Sequence, residues 1–107
     1  MANQYKNAKV DLTDTSDTTL YTCPTAKTAI VKSILVSADT IVAGVITVTI
    51  TDASSNVFSL ISAKAVTANS TLELLTAPLV IEESEILKVQ AAAGNTLHVI
   101  ASLLEVT

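Results

Sequence analysis

Few side chains in this 107-residue sequence can do chemistry, and their spacing does not gather them. There is one histidine, His98, and one cysteine, Cys23; arginine and tryptophan are absent. A histidine acts as a general base only within reach of its proton donor. The apolar stretch around His98 has no Cys or acid patterned about it, so it reads as a solvent-facing or packing histidine. Cys23 precedes Pro24 with no recognisable base near it in sequence to activate it, and reads as a small half-buried side chain. Asp11, Asp14 and Asp17 recur every third residue. A calcium loop would also need its turn glycine and a closing bidentate Glu, so these acids read as a solvated connection. Glu82, Glu83 and Glu85 surround Ser84. Neighbours on a strand face opposite ways, and catalytic carboxylate pairs need burial to separate their pKa values, so the group reads as a turn between strands. Gly44 and Gly94 are isolated and make no phosphate-cradling loop. The glycosylation triplet Asn69-Ser70-Thr71 has no secretion signal to give it meaning. No catalytic, cofactor-binding or metal-ligating residue is assigned, no cofactor is expected, and the chain is expected not to be an enzyme.

The composition narrows the partners. Half of the residues are hydrophobic and only 15% are charged, against about 25% charged in ordinary soluble domains. Only Tyr5, Tyr21 and Phe58 are aromatic, so the core must be aliphatic. One domain of this size hides about 60–70% of its unfolded surface by itself. A surface this poor in charge is expected to be covered by neighbours. The net charge is −4, with six lysines scattered singly. Nucleic-acid binding calls for a clustered basic stripe with stacking aromatics, and membrane spanning for about 18 uninterrupted apolar residues; neither is present. The first residues carry no apolar signal region, and one cysteine makes no internal disulfide, so synthesis in a cytoplasm is expected.

The elements that must position these side chains have period 2. In residues 45–52, Ile46, Val48 and Ile50 point one way and Thr47, Thr49 and Thr51 the other. Asp52 to Asn56 is a turn cluster, and residues 56–65 form the hairpin partner, with Phe58 and Leu60 on the core face. Residues 28–38 are apolar on both faces, as a central strand covered on each side would be. Residues 20–23 make a short strand stopped by Pro24. Residues 71–75 alternate, with Leu72 and Leu74 opposite Glu73, and Pro78 opens an edge strand over 79–81. Residues 85–92 put Leu87, Val89 and Ala91 inside and Lys88 and Gln90 outside. After a turn at Gly94-Asn95, the last strand spans 96–106, with a change of phase near Ile100 that calls for a bulge or a neighbour. About eight strands at such spacing define an all-β antiparallel sandwich, with jelly-roll topology preferred. Residues 1–17, polar and weakly patterned, are expected to be an extended arm that orders on a neighbouring subunit, and 18–107 the single sandwich domain.

Three segments carry a resemblance. Leu20-Tyr21-Thr22-Cys23-Pro24, followed by Thr28-Ala29-Ile30-Val31-Lys32-Ser33-Ile34, resembles the opening of small virion structural proteins of tailed bacteriophages. Ala68-Asn69-Ser70-Thr71-Leu72-Glu73-Leu74-Leu75 with Pro78-Leu79-Val80 is similar to their middle. Glu85-Ile86-Leu87-Lys88-Val89-Gln90-Ala91 and the closing strand are similar to their end. Members of this group often carry glycine in the loop after Pro24, where this chain has Thr25-Ala26-Lys27, and proline or glycine near Ala68 and Ser84. The group's pattern defines no functional residue.

The resemblance implies a non-enzymatic particle component located in the virion and made in the host bacterial cytoplasm. The leading expectation is a capsid decoration (cement) protein, a homo-oligomer with a trimer favoured, bound to the major capsid protein or other virion proteins. A neck, tail or fibre-associated part is the alternative. A carbohydrate-binding module is more remote, since it would need an aromatic platform. An enzyme would have to assemble a site across subunits from His98 and the acids.

Overall fold

The computed structural model describes residues 3–13, 15–38, 44–92 and 97–107. Within them the chain forms nine strands: β1 (Gln4–Leu12), β2 (Thr18–Thr22), β3 (Thr28–Ala38), β4 (Gly44–Thr51), β5 (Val57–Val66), β6 (Ser70–Glu73), β7 (Leu79–Ile81), β8 (Ile86–Ala91) and β9 (Leu97–Val106). All pairings are antiparallel. Sheet A runs β1-β9-β3-β6, with β7 pairing the other end of β3, and sheet B runs β2-β8-β4-β5. If β6 and β7 are taken as one interrupted strand, each sheet has four positions and most connections cross between sheets. This is the strand order of a jelly roll.

Alternation places the core between the sheets. Ala29, Val31, Ile34, Val36 and Ala38 of β3, beside the inner residues of β9 in the same sheet, face Ile46 and Val48 of β4 and Leu87 and Val89 of β8. The core is aliphatic, as the composition requires. Gly44 begins β4 where a Cβ would come within 2.7 Å of the Leu97 side chain, so hydrogen is the only substituent that fits without movement.

The eight strands read from periodicity are all present, and four details differ. Residues 4–12, expected to reach outward as an arm, form β1 along β9 of their own sheet in continuous register. Ala8, Val10 and Leu12 alternate inward against Lys9 and Asp11, and that weak pattern suffices once β9 offers an edge. Phe58 and Leu60 are exposed rather than in the core. They lie on β5, the edge of sheet B, whose register against β4 shifts twice. The last strand keeps phase throughout, with Leu97, Val99, Ala101, Leu103 and Glu105 all inward. The bulge lies instead on its neighbour, at Lys32 between Val31 and Ser33 of β3. Finally, Thr51 is buried at the end of β4, and its Oγ1 has no hydrogen-bond partner among the described residues. Asp14, the Gly94-Asn95 turn and Thr96 lie outside the described residues.

Candidate interaction surface

The described residues singled out for chemistry have structural occupations. Cys23 is buried, its thiol donates to the Lys27 carbonyl at 3.3 Å, and burial pushes its pKa up. Such a thiol is a poor nucleophile. Asp17 lies 3.9 Å from Lys88, while Asp11 sits on β1 beside His98, so the two described acids of the triplet serve different partners. Glu82 to Glu85 form the turn between β7 and β8. Glu85 N–H donates to the Glu82 carbonyl at 3.1 Å, and the Glu85 carboxylate accepts from Glu82 N–H at 2.8 Å. Glu83 accepts from Ala26 N–H at 2.6 Å, tying this turn to the β2–β3 loop. With Asp52 these acids border an open groove of about 710 Å³ at one end of the sandwich. Among the described residues no three His, Cys, Asp or Glu side chains converge as metal ligands. Asn69 occupies a left-handed turn at φ 54° between β5 and β6.

His98 has an acid beside it after all, supplied by a strand 87 positions away. Asp11 stands opposite it in the β1–β9 register, with Nε2 and Oδ1 3.3 Å apart. On the other side Ser37 of β3 is in register with His98. Serine, histidine and aspartate thus share one row, but on the flat face of a continuous sheet. The row is a surface feature of three strands.

The side chain that sequence reasoning missed is Glu105. It is 1% exposed, at an inner position of β9. Its Oε2 accepts from the Tyr21 hydroxyl at 2.5 Å, and its Oε1 lies 3.1 Å from Lys6 Nζ and 3.4 Å from Lys27 Nζ. The Tyr21 hydrogen bond, joined by the two ammonium groups, holds the carboxyl below its usual range despite burial. Burial and the facing carboxylate push the Tyr21 phenol up. The cluster joins β1, β2, the β2–β3 loop and β9, and so clasps the two sheets at one end. Strict alternation from Leu97 would have placed Glu105 inward. The signal was obscured because Ile100, Leu104 and Val106 are apolar on the outer face.

That outer face is the more distinctive surface. Among the described residues seven large hydrophobic side chains are exposed, in two groups. Val57, Phe58 and Leu60 line the β5 edge of sheet B. Tyr5 (73% exposed), Val80 (53%), Ile100 (41%) and Leu35 (36%) lie on the outer face of sheet A. Register arranges them in rows across four strands. Val80, Ile30, Leu104 and Tyr5 are successive partners, and so are Glu73, Leu35, Ile100 and Lys9. Between these rows lie Ser33, Ser102 and Asn7; beyond them lie Thr71, Ser37, His98 and Asp11. Lys32, on the bulge, places its ammonium 5.5 Å from the centre of the Tyr5 ring. The outer face of sheet B is a contrast, with Thr19, Lys88, Thr49 and Ser59 in one row and Gln90 beside Thr47.

The fold and this surface define a jelly-roll β-sandwich with exposed apolar patches. No protein-family model and no curated protein matches the chain. Solved structures do. The chain superposes on the T13 particle of infectious bursal disease virus with a TM-score of 0.59 at 12% identity, covering 96% of this chain and 30% of that one. On the Gt strain of the same virus the TM-score is 0.50 at 10% identity, covering 98% and 30%. On a mutant VP2 protein of that virus, in derived T=1 particles, it is 0.50 at 12% identity, covering 96% and 31%. At these identities the likeness is one of fold, and this chain spans about 30% of the length of the viral chains it matches.

Proposed function

We propose that this protein is a non-enzymatic structural component of a virus particle. In the finer reading it is a decoration (cement) protein of a tailed bacteriophage, made in the host bacterial cytoplasm. It binds the major capsid protein and assembles with further copies of itself. The observation that carries this reading is the pair of exposed apolar surfaces on a small jelly roll whose chemistry-bearing side chains are engaged in structure. The fold it shares with virus particle proteins supports the reading, as does the resemblance of its three segments to phage virion proteins. A standard interface removes about 800 Å² per partner, and repetition over a lattice converts weak contacts into firm attachment through avidity. A rigid sandwich of hydrogen-bonded strands suits such a role because it loses little freedom on docking.

The test adds purified protein to shells prepared without it. Saturable binding at a fixed ratio to the shell protein, with a higher temperature of shell disruption, is the expected result. Binding confined to necks, tails or fibres would move the protein to those parts, and no binding to any part of the particle would overturn the reading.

A further inference from the structure

We propose that the outer face of sheet A docks on the same face of a second copy, through a two-fold axis running nearly along the strands. The inference deepens the assembly reading and rests on it for the expectation that this face is covered. Its content comes from the order of residues in the rows.

A two-fold axis lying between two stacked sheets and parallel to their strands reverses the order across the sheet and preserves the order along it. The row Val80-Ile30-Leu104-Tyr5 then meets itself reversed, with Tyr5 of one copy on Val80 of the other and Leu104 on Ile30. The row Glu73-Leu35-Ile100-Lys9 does the same. Leu35 meets Ile100 beside the axis, and Glu73 meets Lys9 at each margin. Apolar side chains fall on apolar ones, and the edge charges fall on their opposites. Glu73 is ionised for this: desolvation acts against its charge but is outweighed by hydrogen bonds from the Ser33 hydroxyl and the N–H groups of Ile34 and Leu75. In the polar rows Ser102 meets Ser33, and His98 meets Ser37. Lys32 holds its ammonium over the Tyr5 ring, 5.5 Å from its centre. An axis across the strands through the Ser33-Ser102-Asn7 row also brings Leu104 onto Ile100, but it lays Tyr5 on Lys9 and Val80 on Glu73, so the edge charges meet apolar side chains instead of their opposites. A three-fold ring fails too, because a cyclic trimer cannot lay one patch on itself.

The dimensions are adequate. Four strands at about 4.8 Å spacing and about nine residues at 3.4 Å give a footprint of roughly 600 Å² per copy, near the lower bound for a specific interface. Aligned sheets pack at roughly −30°, and tilting the axis by half that angle from the strands keeps the rows in contact.

The experiment is sedimentation equilibrium of the intact protein and two variants, with circular dichroism to confirm folding. The wild type should give twice the 11.1 kDa of one chain. Ile100→Lys places two charges at the axis, one from each copy, and should raise the dissociation constant on the order of a hundredfold. Lys9→Glu opposes two carboxylates at each margin, and should weaken the dimer in low salt more than in high salt. As a geometric check, mixed Leu35→Cys and Ile100→Cys chains should cross-link under mild oxidation faster than either alone. A monomer at hundreds of micromolar, a trimer, or a dimer indifferent to Ile100→Lys would overturn the proposal. A dimer that behaves as expected but binds no shell would uphold it and overturn the decoration reading instead.

Discussion

Glu105 is the residue whose loss should be felt most. A buried carboxylate is tolerable here because Tyr21, Lys6 and Lys27 surround it, and removing it strands two ammonium groups and a phenol. We expect Glu105→Ala to cost about 3–5 kcal/mol and Tyr21→Phe about 1–2 kcal/mol in urea unfolding at pH 7. Because the folded carboxyl titrates below its ordinary range, its contribution is complete above the unfolded pKa of about 4.3 and is lost as pH falls through the folded value. The Glu105→Gln variant should therefore lose less stability than wild type between pH 5 and about pH 2, and parallel slopes would contradict the assignment. Backbone strain gives a second prediction at this scale. Ala26 and Ser84 hold φ of 66° and 68°, a region that disfavours a Cβ by about 1–2 kcal/mol. Ala26→Gly and Ser84→Gly should each raise stability by about 0.5–1 kcal/mol after the entropy of the freed chain is counted.

At the scale of elements, β1 and β5 matter most because each is an edge. Phe58, 55% exposed on β5, contributes little to folding, so Phe58→Lys should change stability by no more than about 0.5 kcal/mol. If the β5 edge contacts the shell, the same variant should lose shell binding while keeping its own oligomeric state. Deleting residues 2–12 should be costlier. It uncovers β9, removes Lys6 from Glu105, and takes Tyr5 and Lys9 from the face of sheet A, so the thermal midpoint and the dimer should fall together. Most elements were legible in the sequence because period 2 survives wherever one face is buried, as in Leu87, Val89 and Ala91 of β8. The exceptions have physical causes. In β1 the inward residues Ala8 and Val10 are too small to stand out. In β5 the apolar pattern is real, but the strand is an edge whose register against β4 shifts twice, and Phe58 stays exposed. In β9 both faces are largely apolar, which hid Glu105, and the pairing of His98 with Asp11 depends on a register that no local pattern encodes.

At the scale of the whole molecule, two sheets with unlike outer faces enclose an aliphatic core. Sheet B shows hydroxyls and single charges; sheet A shows alternating apolar and polar rows. A subunit that turned sheet A toward its own copy would leave the β5 edge and the hydroxyl-rich face for other partners. It would gain rigidity at the end opposite the Glu105 clasp, where the rows of Leu35 and His98 lie. The exposed apolar side chains of sheet A and of the β5 edge are the surfaces on which the proposed contacts with protein partners rest.

The most direct test of the proposed function is the copy number of this chain in purified virus particles, measured by quantitative mass spectrometry against the major shell protein. A lattice-wide decoration predicts hundreds of copies in a fixed ratio to the shell protein. Absence of the chain from the particle would contradict the account.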